Sequence, residues 1–358
     1  MKAIVEGGDL LKMAMDLSCA IPASAVFPYV SLTAIQGQLI GTAIQNEFTL
    51  QSSCKATNEQ EGGVYARPQQ IMGLLNPGDY TVTLTESDHK LKLEFGNVVA
   101  TLEGPNRERE LTDKWVIVGQ PVDVPELILA IKKVRYAALP DLTRPILHCI
   151  NFKPTESGIQ LAAADGFRVA ITKVKAKGEF TEMNIDTSAI DLLLKVQGHR
   201  PSIQQDAKSV AFETVGVVSN TLKVKTVSET YPNYERLIPP IGCVVTAPRE
   251  PLIEAVRRTL VVETPVTNTV RLKTDNEVLS VWCTDETEGE VKSTIPVKTT
   301  GQFRIALNAK YLLDAVTALE GDAITLDKDV QADNKPLVIK GDCDPDSMCV
   351  LMPMWVQW

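Results

Sequence analysis

The stretch ELILAIKKVRYAAL (126–139) places Leu127, Ile131, Val134 and Ala138 at the spacing of one helix face. Two other stretches open in the same way. LLKMAMDLSCAI (10–21) carries Leu10, Leu11, Ala14 and Leu17, and LIEAVRRTLVV (252–262) carries Leu252, Ile253, Val256 and Leu260. Asp9 is expected to cap the first of these helices, while Pro125 and Pro251 suit the first turn of the other two. A second set follows: ARPQQIMGLLN (66–76), DTSAIDLLLKVQ (186–197) and NAKYLLDAVTAL (308–319), with Asp186 and Asn308 as cap-type residues. First-helix starts lie about 115–126 positions apart and second-helix starts about 120, so the chain is read as three copies of one unit.

Outward from the helices, the sequence alternates as half-buried strands do. LTAIQGQLIGTA (32–43), INFKPTESGIQLAAAD (150–165) and VRLKTDNEVLSVWCTD (270–285) read as an early hairpin in each copy. YTVTLTESDHKLKLEF (80–95), SVAFETVGVVSNTLKVKT (209–226) and AITLDKDVQADNKPLVIKG (323–341) read as a late one. The order helix, hairpins, helix, hairpins, repeated three times, predicts an α+β fold with helices on one side of antiparallel sheets. The Pro- and Gly-bearing stretches IVGQPVDVP (117–125) and IPPIGCVVTAP (238–248) place the boundaries, giving units 1–120, 121–242 and 243–358.

The composition suits soluble globular units: 44% hydrophobic, 23% charged and only 5% aromatic, which predicts aliphatic cores. There is no apolar run of 18 residues, and Glu6 and Asp9 interrupt the stretch a signal peptide would need, so a cytoplasmic setting is expected. The seven cysteines are scattered without a Cys-x-x-Cys pair, which predicts reduced thiols and no metal site. A net charge of −9 argues against coating nucleic acid with the whole surface, though not against local basic surface.

No catalytic constellation emerges, and no enzyme is expected. His89, His148 and His199 stand beside no nucleophile motif. The acidic stretch from Asp342 to Ser347 fails as a calcium loop, with Ser347 at the glycine position and Pro353 at the position of the bidentate Glu, and is read as a solvated turn. No cofactor is expected. With the fifth stretch extended back to 249, the six helical stretches hold ten basic residues (Lys12, Arg67, Lys132, Lys133, Arg135, Lys195, Arg249, Arg257, Arg258 and Lys310) against seven acidic ones, a balance of +3 that leaves −12 elsewhere. Ordinary solvated helix faces account for this, and so does a helix-lined surface facing a polyanion.

LHCINFKPTESGIQLAAADGFRVA (147–170), YPNYERLIP (231–239), FRIALNAKYLLDAV (303–316) and CVLMPM (349–354) resemble, in order, the bacterial sliding clamp, the β subunit of DNA polymerase III. The resemblance runs through the chain and is weakest in the first copy, above all at 41–60. It implies a DNA-clamp fold, three similar domains with two helices each on the inner side and sheets outside, in a head-to-tail homodimer. Helix width agrees: six helices about 10 Å wide close a circle leaving roughly 10 Å free, whereas twelve leave roughly 28 Å, room for a duplex.

The implied function is to encircle double-stranded DNA without sequence specificity, confer processivity on the replicative polymerase, and recruit polymerase subunits, the clamp loader and repair proteins through short linear motifs. A ring or adaptor using the repeat for protein contacts only is the alternative. By the resemblance, the partner-peptide groove comprises Leu147, Gly166, Phe167, Arg168, Val169, Pro232, Arg236, Leu237, Asn308, Tyr311, Val350, Met352, Pro353 and Met354, with Arg168 and Arg236 flanking it. The DNA-facing set is Lys12, Arg67, Lys132, Lys133, Arg135, Lys195, Arg257 and Arg258, and the dimer contacts join Val98 and Ala100 to the partner's Val261 and Val262. A cytoplasmic, nucleoid-associated protein follows. The sequence departs from the family at Phe167, where a His is usual, at Ser24, where some members carry a basic residue, and in the tail Trp355–Trp358.

Overall fold

The computed structural model describes every residue except 23, 46, 106–118, 197–198, 207, 241, 263–267 and 330–334. Residues 117–118 and 241 of the expected boundary stretches lie outside that set. Six α-helices occur among the described residues: α1 Gly7–Cys19, α2 Pro68–Leu74, α3 Leu127–Arg135, α4 Thr187–Lys195, α5 Arg249–Thr259 and α6 Ala309–Ala318. Each falls on a stretch with the expected helical spacing.

The start of α1 differs from expectation. α1 begins two residues before Asp9, with Glu6 at the cap position and no side-chain cap bond. Gly7 enters the helix where a Cβ would lie 2.5 Å from the Tyr80 ring, and its N–H donates to Tyr80 O at 2.7 Å. Only glycine fits that approach, so a residue that reads as a turn former starts a helix here. α5 begins at Arg249, leaving Pro251 in its first turn as expected. Asn308 caps α6, its side chain accepting from Tyr311 N at 3.1 Å.

Contacts divide the described chain into two compact units. The first comprises Met1–Ile128, Ala176–Thr181 and Ser188–Ser228. It holds a five-stranded antiparallel sheet in the order Thr57–Gln60, Lys2–Glu6, Thr81–Ser87, Lys90–Phe95, Val98–Glu103. It also holds an eight-stranded sheet: Val122–Asp123, His199–Gln205, Ser209–Val215, Ser219–Lys225, Phe48–Lys55, Gln38–Ile44, Val30–Ile35, Gly62–Ala66. α1 packs on α2 and on the eight-stranded sheet, burying Leu10, Met13, Ala14 and Leu17. Its Asp16 is buried, accepting from Lys12 Nζ at 2.9 Å and Asn220 Nδ2 at 3.0 Å, so that carboxylate is paired as a buried charge must be.

The second unit comprises Leu129–Lys175, Glu182–Thr187 and Glu229–Trp358. Its nine-stranded sheet runs Met183–Asp186, Cys149–Thr155, Gly158–Ala164, Arg168–Lys175, Asp344–Leu351, Leu337–Gly341, Ala323–Lys328, Cys243–Pro248, Lys298–Thr299. A four-stranded sheet follows the order Gly289–Pro296, Val278–Asp285, Thr269–Asp275, Arg304–Asn308. α5 and α6 pack together over an aliphatic core including Leu252, Val256, Leu272, Val281, Leu312, Val316, Leu326 and Ile339. Arg249 closes the far end of α6: its Nε donates to Leu319 O at 2.9 Å and its Nη2 to Thr317 O at 2.9 Å, satisfying carbonyls a helix end leaves open.

Both large sheets obey one joining rule. The last strand of a copy's late meander pairs with the third strand of the preceding copy's early meander. Ser219–Lys225 thus lies against Phe48–Lys55 with Leu222 opposite Leu50, and Asp344–Leu351 lies against Arg168–Lys175 with Cys349 opposite Ala170. Two equivalent strands remain at sheet edges, Val98–Glu103 in the first unit and Gly289–Pro296 in the second.

In the acidic stretch of the last copy, Asp342 and Cys343 form the expected exposed turn, but Asp344 corrects the reading. Asp344 opens a strand, is buried, and accepts from Lys133 Nζ at 2.8 Å; Glu320 lies 3.3 Å from the same nitrogen. It is therefore not a solvated turn residue but the carboxylate that neutralises a half-buried lysine.

Candidate functional site

The turn that joins Gly158–Ala164 to Arg168–Lys175 builds one wall of a cleft. Gly166 sits at φ +95°, a left-handed conformation that L side chains avoid. Asp165 Oδ1 accepts from Phe167 N at 2.9 Å and Arg168 N at 3.0 Å, fixing the turn. Phe167 is thereby pushed outward and is 63% exposed. Opposite, the segment Tyr231–Leu237 ends in a short 3-10 helix capped by Asn233, whose side chain accepts from Glu235 N. The chain leaving Asp344–Leu351 closes the third side, with Met352 N donating to Phe167 O at 2.9 Å.

The cleft between these walls has a volume of about 290 Å³ and is lined by Arg144, Leu147, Ala164, Gly166, Phe167, Arg168, Val169, Tyr231, Pro232, Asn233, Tyr234, Leu237, Val350 and Met352. Its floor is a small core of Leu147, Ala164, Val169, Tyr231, Tyr234 and Val350, all buried. Its rim is exposed and apolar, with Leu237 at 44% and Met352 at 39% beside Phe167. The floor residues are thus core residues and cleft residues at once. An apolar cavity with a flexible thioether at its edge accommodates varied apolar side chains.

Nine of the fourteen expected groove residues line this cleft: Leu147, Gly166, Phe167, Arg168, Val169, Pro232, Leu237, Val350 and Met352. Arg236, Asn308, Tyr311, Pro353 and Met354 do not. Asn308 is the α6 cap, and Met354 is drawn toward the four-stranded sheet, with Met354 N donating to Ala306 O at 2.8 Å and Thr269 Oγ1 to its sulfur at 3.5 Å. Arg144, Ala164, Tyr231, Asn233 and Tyr234 line the cleft without having been expected. Tyr231, Asn233 and Tyr234 stand within the YPNYERLIP motif, so their neighbourhood to Pro232 was the available signal.

Arg168 corrects the expectation of a flanking charge. Its Nε donates to Asp165 Oδ2 at 2.9 Å, Nη1 to Asp314 Oδ2 at 2.6 Å and Nη2 to Tyr136 O at 2.7 Å. The guanidinium lies 4.1 Å from the Tyr311 ring centroid. Burial opposes its charge, but the bond it donates to Asp314 and the attraction of Asp165 outweigh that and raise its pKa. Arg168 braces the wall from behind. Arg144 is the exposed arginine at the cleft.

Among the expected DNA-facing residues, Arg67, Lys132, Lys195, Arg257 and Arg258 are exposed. Lys12 is bound to Asp16, Arg258 pairs with Glu254 at 2.9 Å, and Arg67 donates to Tyr29 Oη at 2.8 Å. Lys133 is turned inward onto Asp344 and Glu320, its side chain 12% exposed. Of the expected dimer residues, Val98 and Val261 are exposed at 37% and 79%, but Val262 is buried at 7% and serves the core; Val99, at 64%, was not anticipated. No group of His, Cys, Asp or Glu among the described residues could hold a metal ion. No helix of the described residues is long and apolar enough to cross a membrane.

Residues 236–355 match the family model of the DNA polymerase III beta subunit, C-terminal domain. The beta sliding clamp of Synechococcus elongatus is 24% identical over 362 residues, covering 95% of each chain. Among solved structures, the DNA polymerase III subunit beta of Pseudomonas aeruginosa superposes with a TM-score of 0.91 at 20% identity, covering 99% of this chain and 100% of that one. A sliding clamp from the same organism bound to griselimycin gives 0.89 at 20% identity and the same coverage. Residues 236–355 thus carry the C-terminal domain of the DNA polymerase III beta subunit, and the whole chain has the fold of the bacterial sliding clamps it resembles.

Proposed function

We propose that this chain is the protomer of a DNA sliding clamp, a non-catalytic processivity factor of three clamp domains (1–120, 121–242 and 243–358) that works as a head-to-tail homodimer around duplex DNA. The observation that carries the reading is the joining rule of the sheets. Each internal joint pairs a late strand with the early strand of the copy before it, and the two strands left over, Val98–Glu103 and Gly289–Pro296, are the complementary halves of one more joint. Two chains supply each other's missing half and close by two-fold symmetry. The edge strand Gly289–Pro296 replaces buried Val262 as the partner-facing element.

Retention by encirclement is topological, so a weakly basic helix surface suffices. The exposed Arg67, Lys132, Lys195 and Arg257 are the residues assigned to non-specific phosphate contact. The cleft beside Phe167 and Met352 is assigned to short apolar peptide motifs of polymerase subunits, the loader and repair proteins. A few buried side chains there correspond to binding near micromolar, about −8 kcal/mol.

The deciding experiment loads the protein onto nicked circular DNA and then linearises it. The clamp reading expects loss of bound protein on linearisation, and equal retention on both forms contradicts it.

A further inference from the structure

The outer face of the four-stranded sheet carries cations and indoles in register. Arg271 lies opposite Trp282, and Trp282 opposite Lys292, forming one row across three strands; Lys273 lies opposite Arg304 in the next. The opposite face, with Val270, Leu272, Leu279 and Val281, is buried in the core. Trp358 folds back onto this outer face, its ring 6.1 Å from Trp282 in edge-to-face geometry. Lys292 Nζ is 6.0 Å from the Trp282 ring and Arg304 Cζ 5.6 Å from that of Trp358. Trp355, between Met354 and this anchor, is 91% exposed.

Among the described residues, Arg271, Lys273 and Lys292 have no carboxylate partner, and Arg271 Nε is buried without a hydrogen-bond partner. The acids of this face, Asp275 and Glu290, sit at opposite ends of it, beside Val278 and Thr284. A chain of net charge −9 therefore concentrates four cations and two indoles on one sheet face, with a third indole in the adjoining tail. Cations spaced about 5–10 Å apart across strands and interleaved with aromatic rings match a strand that offers phosphates and unstacked bases together. An acidic peptide uses only the charges.

We infer that this face binds single-stranded nucleic acid without sequence preference, its phosphates on Arg271, Lys273, Lys292 and Arg304 and its bases on the indoles of Trp355 and Trp358. The site is separate from the helix surface and from the cleft, so it is additional to the clamp reading.

The probe is a fluorescein-labelled oligothymidylate read by anisotropy with the full chain. Four phosphate contacts give a log K against log salt slope near −3 for a single strand. Lys273→Glu is expected to weaken binding and flatten the slope, and Trp358→Ala to weaken it roughly 5- to 150-fold. Unchanged binding in Lys273→Glu overturns the proposal. So does polyglutamate competing equally with oligothymidylate while Trp358→Ala binds as wild type, which reports charge alone. Both variants should still be lost from circular duplex only on linearisation. Failure of that duplex test in wild type therefore strikes the clamp reading and leaves the oligothymidylate comparison intact.

Discussion

Arg168 bonds to Asp165, Asp314 and Tyr136 O through three separate nitrogens, with Tyr311 stacked against the guanidinium plane. Its removal strands the Asp165 carboxylate, whose side chain is 4% exposed, and that carboxylate also holds the amides of Phe167 and Arg168. Arg168→Ala is therefore expected to cost about 3 kcal/mol in chemical unfolding and to loosen the cleft wall. Arg168→Lys should recover only part of this, because an ammonium cannot serve three acceptors from a planar fork. Equal stability of the Lys and Arg proteins would show that the fork geometry is immaterial. None of this was legible in the residue's type: an arginine after Asp-Gly-Phe reads as a rim charge until Asp314, 146 positions away, is placed against it.

At the scale of elements, the strand Val98–Glu103 presents Val98 and Val99 to solvent along a sheet edge that has no partner strand among the described residues. An exposed apolar edge is a pairing surface, and charge on it blocks pairing at little cost to the fold. The double substitution Val98→Asp with Val99→Asp should leave a folded chain with a native mass near 39.1 kDa, where the wild type is expected near twice that. A variant that stays dimeric would remove this strand from the interface. Helices and hairpins were readable because their burial follows simple periods: Leu127, Ile131 and Val134 are buried on one helix face, and Val270, Leu272, Leu279 and Val281 on one sheet face. Which strands meet across copies was not readable, because pairing of Ser219–Lys225 with Phe48–Lys55 depends on sheet geometry that no local pattern encodes. The groove came through the likeness of its motifs, while Asn308 and Tyr311 belong to the start of α6 and Met354 is drawn to Ala306, placements that depend on long-range packing.

At the scale of the whole chain, the three copies share one plan and have diverged in what they carry. The cleft draws its walls from the second and third copies, and the indole-bearing sheet face belongs to the third alone. In the first copy, Lys12 is paired with Asp16. The joining rule also gives the chain a direction. In the proposed ring it would have, like a monomer in polymer chemistry, one head and one tail that differ in kind, and growth would stop only when the last head met the first tail. On that proposal, a chain blocked at Val98–Glu103 keeps its Gly289–Pro296 edge and is expected to act as a chain stopper rather than a bystander. Mixed in equal amount with wild type under subunit exchange, it should leave only about a quarter of pairs able to close. Protein retained on circular duplex should fall accordingly, and retention halving merely in proportion to dilution would show that the two edges do not recognise each other.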